Sequence, residues 1–375
     1  MGLYKIKPPA LVPLPPESAR HAGSSSSPRR GPVLIGPKST HSILPCLIFK
    51  RRNVLDLTQM LRPTRLSLPP RSRLVRWGLL LLWTALLTVL GVLGIGVEIS
   101  RRYAYALTHP GCSGLHRGPL DVGISDYREV TFTSPGGADV NPDGLRLKAW
   151  WFPSKNGAAV ILIPGIGQAR DGMLDQGAML AHHGYGVLLV DPRSCASPDA
   201  VFTAGYDEVR DVAGALAFVQ AQSEVAPDRV GVLGFSVGGA TAILSAAQLD
   251  DIRAVVSEGN FYNLGHDIAN TGGYNSFLAD FYYQVILFFF RFYSGLDARL
   301  VSPVDAIGHI SPRPVFLVFG EHEAGSGRAH DQFAAAGEPK SLWIVPGVGH
   351  GGYIQTWPKE YERRVIRFFD EALLR

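Results

Sequence analysis

The sequence predicts an α/β fold in which a mostly parallel, twisted sheet carries helices on both faces and a small helical lid, preceded by one transmembrane helix. Three observations predict it. Residues 77–97 are an unbroken apolar run, short β-branched runs alternate with amphipathic stretches from about Tyr127 onward, and a Gly-Phe-Ser-Val-Gly motif at 234–238 joins a strand to a helix. These features divide the chain into an N-terminal segment, an anchor, a linker at 98–126 and a domain at 127–375.

The apolar run Trp77–Val97 contains no charged residue. At about 1.5 Å per residue, a helix of this length spans the roughly 30 Å of a bilayer core. A buried helix of a soluble domain is the alternative, but the run has no polar face. Gly96-Val97-Glu98 matches a small-x-small cleavage site poorly, so the run is predicted to be an uncleaved anchor.

Arginines flank the run unequally. Arg62, Arg65, Arg71, Arg73 and Arg76 precede it, whereas one glutamate and two arginines follow within five residues. This bias predicts a cytoplasmic N-terminus, with the domain at 127–375 outside the cytoplasm, either periplasmic or extracellular.

Residues 1–75 are rich in Pro, Ser and Arg and hold too little apolar surface to offset the entropy of ordering, so this basic segment is predicted to be disordered. A second interpretation is that the true start is Met60 and that the preceding residues come from an overlong gene model. The chain would then begin with a short Arg-rich leader and an apolar run, as an export signal does.

The composition narrows the class of protein. The 375 residues are 46% hydrophobic, which is enough for one large core or two smaller ones. The net charge is +4, and the positive charges cluster toward the N-terminus, so no nucleic-acid partner is predicted. Cys46, Cys112 and Cys195 form no metal-binding pattern, and neither a metal nor a cofactor is predicted. Cys112 and Cys195 can pair if both lie outside the cytoplasm, but three unpaired thiols are the favoured interpretation.

The domain at 127–375 is predicted from alternating strand and helix patterns. The turn-rich segments 135–137 and 141–144 join its first two strands and predict an antiparallel pair, after which strands and helices alternate. The predicted strands are Glu129–Thr133, Leu145–Phe152, Ala159–Ile163, Gly186–Asp191, Val230–Phe235, Arg253–Ser257, Pro314–Phe319 and Ser341–Val345. The predicted helices are Met173–His183, Tyr206–Gln220, Val237–Ala247 and Lys359–Leu374.

Ser236 is the candidate nucleophile. It lies between Gly234 and Gly238, after an apolar strand and before a helix, which is the context that a nucleophile elbow requires. Side chains two residues before and after the serine would collide in so tight a turn, and the helix N-terminus directs its free N–H groups at the site. A structural serine is the alternative, since the bare motif also occurs by chance.

A serine needs a base, and His350 is the candidate because it lies in a glycine-rich loop just beyond the last strand. The other histidines of the domain fit less well, since they lie at a helix end, in a linker or before the last strand. An acid that orients His350 is expected after the strand Pro314–Phe319, where Glu321 and Glu323 are available and Asp331 is a more distant third.

An oxyanion hole needs two N–H groups directed at the developing charge. The backbone of Val237 is expected to supply one. Ile166, in the loop Pro164–Gln168 after the strand Ala159–Ile163, is expected to supply the other, and a plain turn is the less favoured alternative for this loop.

The chain resembles the α/β-hydrolase superfamily from roughly Leu120 to Leu374, and within it the exported or membrane-anchored bacterial serine hydrolases of esterase, dienelactone-hydrolase-like or prolyl-oligopeptidase-like type. Gly184–Asp191 resembles the fourth strand of that family with its terminal Asp, and Asp191–Ser194 stands at its D-x-R-G motif. Ser302–Ile307 before Pro312–Pro314 is similar to the usual lead-in to the strand that bears the acid.

The resemblance implies an acid three residues after the glycine that ends this strand, which selects Glu323, with Glu321 as the runner-up; most members have Asp there. The chain order Ser, acid, His also matches the family. Pro164 replaces the His of the common H-G-x-G loop, and Ser194 replaces Gly. Ser236 stands where dienelactone hydrolases have Cys and epoxide hydrolases have Asp, which implies acyl transfer.

An aromatic-rich segment at about 262–305 is the predicted lid. It would form an apolar cap that shapes an acyl pocket or meets the bilayer, or simply a helix packed on the core, and the last interpretation is favoured. The run 285–290 is too short to cross a membrane.

These predictions combine into a serine hydrolase that cleaves a small-molecule carboxylic ester through an acyl-enzyme. Peptidase, thioesterase or acyltransferase activity would use the same triad. A non-catalytic, membrane-anchored binding protein on the same fold is the alternative from another class, supported by the loop without its His and by Glu in the acid position.

Overall fold

The computed structural model describes residues 70–136, 144–270, 276–325 and 327–375. The disorder predicted for the N-terminal segment up to residue 69, the alternative start at Met60 and most of the turn between the first two strands lie outside the described residues. Described residues 70–88 belong to one compact unit, and the later described residues to another.

A single long helix, α1 (Pro70–Thr108), contains the apolar run as its middle part. In the described part of the chain, one helical stretch, Arg73–Thr108, is long and apolar enough to cross a membrane by its length and composition. The helix is longer than predicted at both ends, so residues 70–75 and the first part of the predicted linker are helical. Beyond the run, Glu98 pairs with Arg101 and Arg102 one turn later, which supports a helix in this stretch.

Eight strands form one sheet in the order β1-β2-β4-β3-β5-β6-β7-β8. The first two strands are antiparallel, β2 is also antiparallel to β4, and all other neighbours are parallel, which confirms the mostly parallel sheet. Each strand lies within one residue of its predicted bounds. The strands are β1 (Arg128–Ser134), β2 (Leu145–Phe152), β3 (Ala159–Ile163), β4 (Gly186–Val190), β5 (Val230–Phe235), β6 (Ile252–Glu258), β7 (Val315–Gly320) and β8 (Lys340–Val345).

Helices cover both faces of the sheet, and the alternating side chains of the strands divide the core into two clusters. Leu188 faces a cluster that includes Leu216 and Ile243, whereas Leu189 faces one that includes Leu180 and Phe369. The helices of the domain are α2 (Leu174–His182), α3 (Arg193–Ala196), α4 (Glu208–Gln220), α5 (Val237–Ala246), α6 (Leu264–Asn270), α7 (Phe277–Ser294), α8 (Pro303–Ala306), α9 (Ala329–Ala335), α10 (Tyr353–Thr356) and α11 (Pro358–Leu373).

The lid lies between β6 and β7, as predicted, and its main parts are α6 and α7. Leu287 and Phe290 of α7 are buried in the core cluster. The helix therefore packs on the domain by one side, in agreement with the favoured interpretation of this segment.

A disulfide joins Cys112 to Cys195, whose Cα atoms are 4.9 Å apart. The favoured interpretation of three unpaired thiols is therefore wrong for these two residues. The two cysteines are 83 residues apart in sequence, and their approach depends on how the segment after α1 packs against α3, which follows β4.

Candidate active site

Ser236 occupies a strained turn between β5 and α5. Its backbone has φ 57° and ψ −120°, a region that non-glycine residues rarely adopt. A Cβ at position 234 would overlap the backbone of Gly238, and a Cβ at 238 would overlap the carbonyl oxygens of Ile163 and Pro164. Both glycines of the motif are thus required sterically. The N–H of Ser236 donates to the carbonyl of Glu258 at 2.7 Å, which ties the turn to β6.

His350 lies between β8 and α10, and its Nε2 is 2.9 Å from Oγ of Ser236. Gly351 and Gly352 follow with positive φ and turn the chain back toward α10. The imidazole packs on the ring of Phe235 with centroids 4.9 Å apart. The histidine loop thus brings the ring over the carboxyl end of β5, where the nucleophile lies.

Glu323 lies in the turn after β7, buried, with Oε2 2.5 Å from Nδ1 of His350. Its other oxygen, Oε1, accepts the N–H of Gly320 at 2.8 Å and the hydroxyl of Tyr353. Both carboxylate oxygens are therefore held, and the one facing His350 can fix its tautomer and stabilise an imidazolium.

The two other candidate acids contact groups other than His350. Oε2 of Glu321 accepts the N–H of Gly347 at 2.9 Å, and Asp331 pairs with Arg328. The structure thus brings Ser236, His350 and Glu323 together, and the runner-up and the third candidate contact other groups.

The loop Pro164–Gln168 lies beside the nucleophile turn, because β3 pairs with β5 in a register that sets Ile163 opposite Gly234. Ile166 lies in this loop, and Val237 is the first residue of α5. Oε1 of Gln168 accepts the N–H of Gly165 at 3.0 Å. This hydrogen bond supports the loop from within.

Ser113, in the segment after α1, makes hydrogen bonds to the loop Pro164–Gln168 and to the residue that follows it. Its N–H donates to the carbonyl of Gly167 at 2.8 Å, and its Oγ accepts the N–H of Ala169 at 3.1 Å. Because Ser113 follows Cys112, the disulfide to Cys195 fastens this support to the domain. Sequence reasoning placed Gln168 in this loop but gave it no role, and it missed Ser113, which lies in no recognisable motif.

A second buried carboxyl lies next to the triad. Glu258 ends β6, and its oxygens accept the hydroxyl of Tyr361 and, at 3.4 Å, the amide of Gln176. Burial, with a smaller contribution from the charge of Glu323, raises the pKa of Glu258 to about 7. Sequence reasoning missed this group, although an acidic residue at the end of an apolar strand is itself an unusual signal.

The triad opens into a cleft of about 510 Å³. His266 and Asp267 of α6 form part of its wall, and Arg328, stacked on the ring of Tyr262 at 4.1 Å, forms another. Oδ2 of Asp267 accepts the N–H groups of Tyr262 and Asn263, at 2.7 and 3.3 Å. The cleft is therefore more polar than the sequence-based picture of an apolar cap suggests.

Residues 124–287 match the family model of X-Pro dipeptidyl-peptidases (S15 family), a segment that includes Ser236 and ends before Glu323. The uncharacterized protein Rv2307c of Mycobacterium tuberculosis is 30% identical over 229 residues, which cover 58% of this chain and 73% of that protein.

Two solved structures show the same fold. An esterase of Pyrococcus furiosus is 22% identical with a TM-score of 0.56, and the match covers 71% of this chain and 98% of that one. The α/β hydrolase GrgF of Penicillium sp. sh18 is 19% identical with a TM-score of 0.51, covering 66% of this chain and 99% of that one. With a serine on the strand-to-helix turn of such a sheet, the chain belongs to the α/β-hydrolase superfamily, and the match of residues 124–287 supports a hydrolase of the kind that includes S15 peptidases and esterases.

Proposed function

We propose that the protein hydrolyses carboxylic esters through an acyl-enzyme on Ser236. The observation that carries this proposal is the continuous hydrogen-bonded chain from Oγ of Ser236 through the two ring nitrogens of His350 to Glu323. A serine, a base within hydrogen-bond distance and a carboxylate that orients the base are the parts that nucleophilic acyl transfer needs.

In the proposed reaction, Oγ of Ser236 attacks the ester carbonyl while Nε2 of His350 takes its proton. The N–H groups of Val237 and Ile166 stabilise the oxyanion. The tetrahedral intermediate collapses, His350 returns the proton to the departing alcohol, and the acyl group stays on Ser236. Water, activated by His350, then attacks the acyl-enzyme and releases the carboxylic acid and the free serine.

The charges lining the cleft favour an ester over a dipeptidyl substrate. A dipeptidyl peptidase must hold the free ammonium of its substrate, which calls for an available carboxylate. The carboxylates that line the described part of the cleft are Glu323, engaged by His350, and Asp267. Oδ2 of Asp267 accepts two backbone N–H groups, and its Oδ1 lies 3.2 Å from Nδ1 of His266. An ester needs no such partner.

The test compares the full-length protein on p-nitrophenyl esters of rising acyl length with its activity on Gly-Pro-p-nitroanilide, using Ser236→Ala as the matched control. We expect ester hydrolysis that the substitution abolishes, and little or no release of p-nitroaniline. Efficient cleavage of the anilide with weak ester hydrolysis would favour the S15-type peptidase. Inactivity on both substrates, together with no labelling by a serine-directed probe, would favour a binding protein.

We also propose that α1 anchors the protein in a membrane with its N-terminus in the cytoplasm and the catalytic domain, about 127–375, outside. Five arginines lie between residues 62 and 76, directly before the apolar run. The disulfide between Cys112 and Cys195 supports the same side for the domain, because disulfides persist in oxidising compartments. Trypsin added to spheroplasts that express the chain should degrade the domain. A domain that is protected until the cells are lysed would contradict this orientation.

A further inference from the structure

Helix α7 carries an exposed aromatic stripe. Phe277, Phe281, Phe288 and Phe292 are 85%, 41%, 64% and 70% exposed. Their spacings of four, seven and four residues place them on one side of the helix. Packing on the domain core explains the side that bears Leu287 and Phe290, but it leaves this stripe without a partner in the described part of the chain.

The same helix lies against the end of α1. Nη1 of Arg101 donates to the hydroxyl of Tyr293 at 3.0 Å, and the ring of Tyr105 meets that of Tyr293 edge to face at 5.3 Å. Further back, the ring of Tyr282 occupies the space that a Cβ of Gly96 would fill. The two helices therefore run side by side in the same direction.

These contacts set the depth of α7 relative to the anchor. Gly96 lies in the last turn of the apolar run, and Arg101 lies just beyond it. Tyr282 is thus level with the end of the run. Phe277 precedes Tyr282 by five residues, or about 7.5 Å along the helix, so the start of α7 lies level with the apolar run itself.

We propose that α7 enters the outer bilayer interface alongside α1, with its phenylalanine stripe in contact with lipid. This inference rests on the proposed anchoring by α1. We assign lipid as the partner of the stripe because the stripe continues the apolar surface of the anchor. Both surfaces lie on the same side of the charged residues that flank the anchor. Tyr282 and Tyr293 lie at the level where tyrosines are enriched in membrane proteins, and Arg291 lies on the side away from the apolar run.

The test uses the full chain, with Cys46→Ser, in vesicles of phosphatidylcholine and phosphatidylglycerol. A nitroxide is attached in turn at Phe281→Cys and Phe288→Cys, with Leu87→Cys in the apolar run and Lys359→Cys on exposed α11 as controls. Collision with oxygen, which partitions into lipid, is compared with collision with a water-soluble nickel chelate. Far-UV circular dichroism and urea unfolding check that each variant is folded.

We expect labels at 281 and 288 to collide mainly with oxygen, as at 87, whereas the label at 359 collides mainly with the nickel chelate. Nickel-dominated collisions at 281 and 288, with oxygen-dominated collisions at 87, would overturn the proposal. Loss of collisions with both reagents would also overturn it and indicate that a second copy of the chain covers the stripe. If the label at 87 is also nickel-dominated, the anchor and the docking of α7 both fail. Ester hydrolysis is measured separately, so none of these outcomes depends on the proposed function.

Discussion

The hydroxyl of Tyr353 donates a hydrogen bond to Oε1 of Glu323, whose other oxygen lies 2.5 Å from Nδ1 of His350. Burial and the carboxylate of Glu323 raise the pKa of Tyr353, so the hydroxyl keeps its proton and remains a donor. Tyr353 begins α10, three residues after His350. One short segment therefore carries both the base and the group that positions its acid.

Replacing Tyr353 by Phe should lower kcat for ester hydrolysis by about 10- to 100-fold, because a hydrogen bond to a charged group typically contributes about 1.5–3 kcal/mol. We expect KM to change little, since the hydroxyl contacts Glu323 and not the cleft. Tyr185→Phe is the matched control, because Tyr185 is buried and donates to Asp370 at 2.7 Å. Equal losses of activity in both variants would indicate a merely structural role for Tyr353.

The two glutamates after β7 give a sharper test of the acid. Glu323→Gln should lower kcat by about 10³-fold or more, since an amide cannot stabilise the imidazolium and favours the wrong tautomer of His350. Glu321→Gln should stay within a fewfold of wild type, because Glu321 bonds the N–H of Gly347 instead. The reverse pattern in kcat would assign the acid to Glu321.

Glu258 makes a prediction about stability and pH. Its folded pKa of about 7 lies above the ordinary value of 4.5, so its contribution to stability is fully present below pH 4.5. As pH rises, the unfolded chain ionises first, and stability is lost until the folded carboxyl ionises near pH 7. The shift corresponds to about 3 kcal/mol in total.

Glu258→Gln should remove this part of the pH dependence. Urea unfolding in detergent from pH 4.5 to pH 8 should therefore show the variant gaining about 3 kcal/mol relative to wild type across the range. Two unfolding curves that stay parallel at every pH would show that Glu258 titrates alike in the folded and unfolded chains.

The disulfide should contribute to both stability and activity. Replacing Cys112 and Cys195 by Ser opens a loop of 83 residues and should lower the free energy of unfolding by about 4.5 kcal/mol, as chain entropy predicts. Loss of the disulfide should also lower kcat, because Ser113 would then hold the loop Pro164–Gln168 less firmly, and this loop carries the proposed oxyanion donor Ile166. Cys46→Ser should change neither quantity. A double variant with normal kcat and normal urea midpoint would contradict this role.

Local patterns were enough to predict the strands and the nucleophile turn. Each strand falls within one residue of its prediction, since apolar runs of four to eight residues bounded by turns depend little on distant contacts. Glu98 and the arginines after it were equally local, and their spacing of three and four residues would have extended α1 beyond residue 97.

Other features depend on long-range packing. The choice between Glu321 and Glu323 is set by the direction of side chains in a turn, which has no fixed period. The pairing of Cys112 with Cys195 and the approach of Tyr353 to Glu323 require the folded arrangement of distant segments. The exposed phenylalanine stripe of α7 could be seen only once the side of the helix that packs on the core was known.

The most direct test of the central claim is labelling of the full-length protein with a fluorophosphonate, followed by mass spectrometry of the tryptic peptide 230–253. We expect the phosphonyl group on Ser236 in the wild type, none in Ser236→Ala and much slower labelling in His350→Gln. An unlabelled wild type, or labelling that survives in Ser236→Ala, would contradict the assignment of Ser236 as the nucleophile.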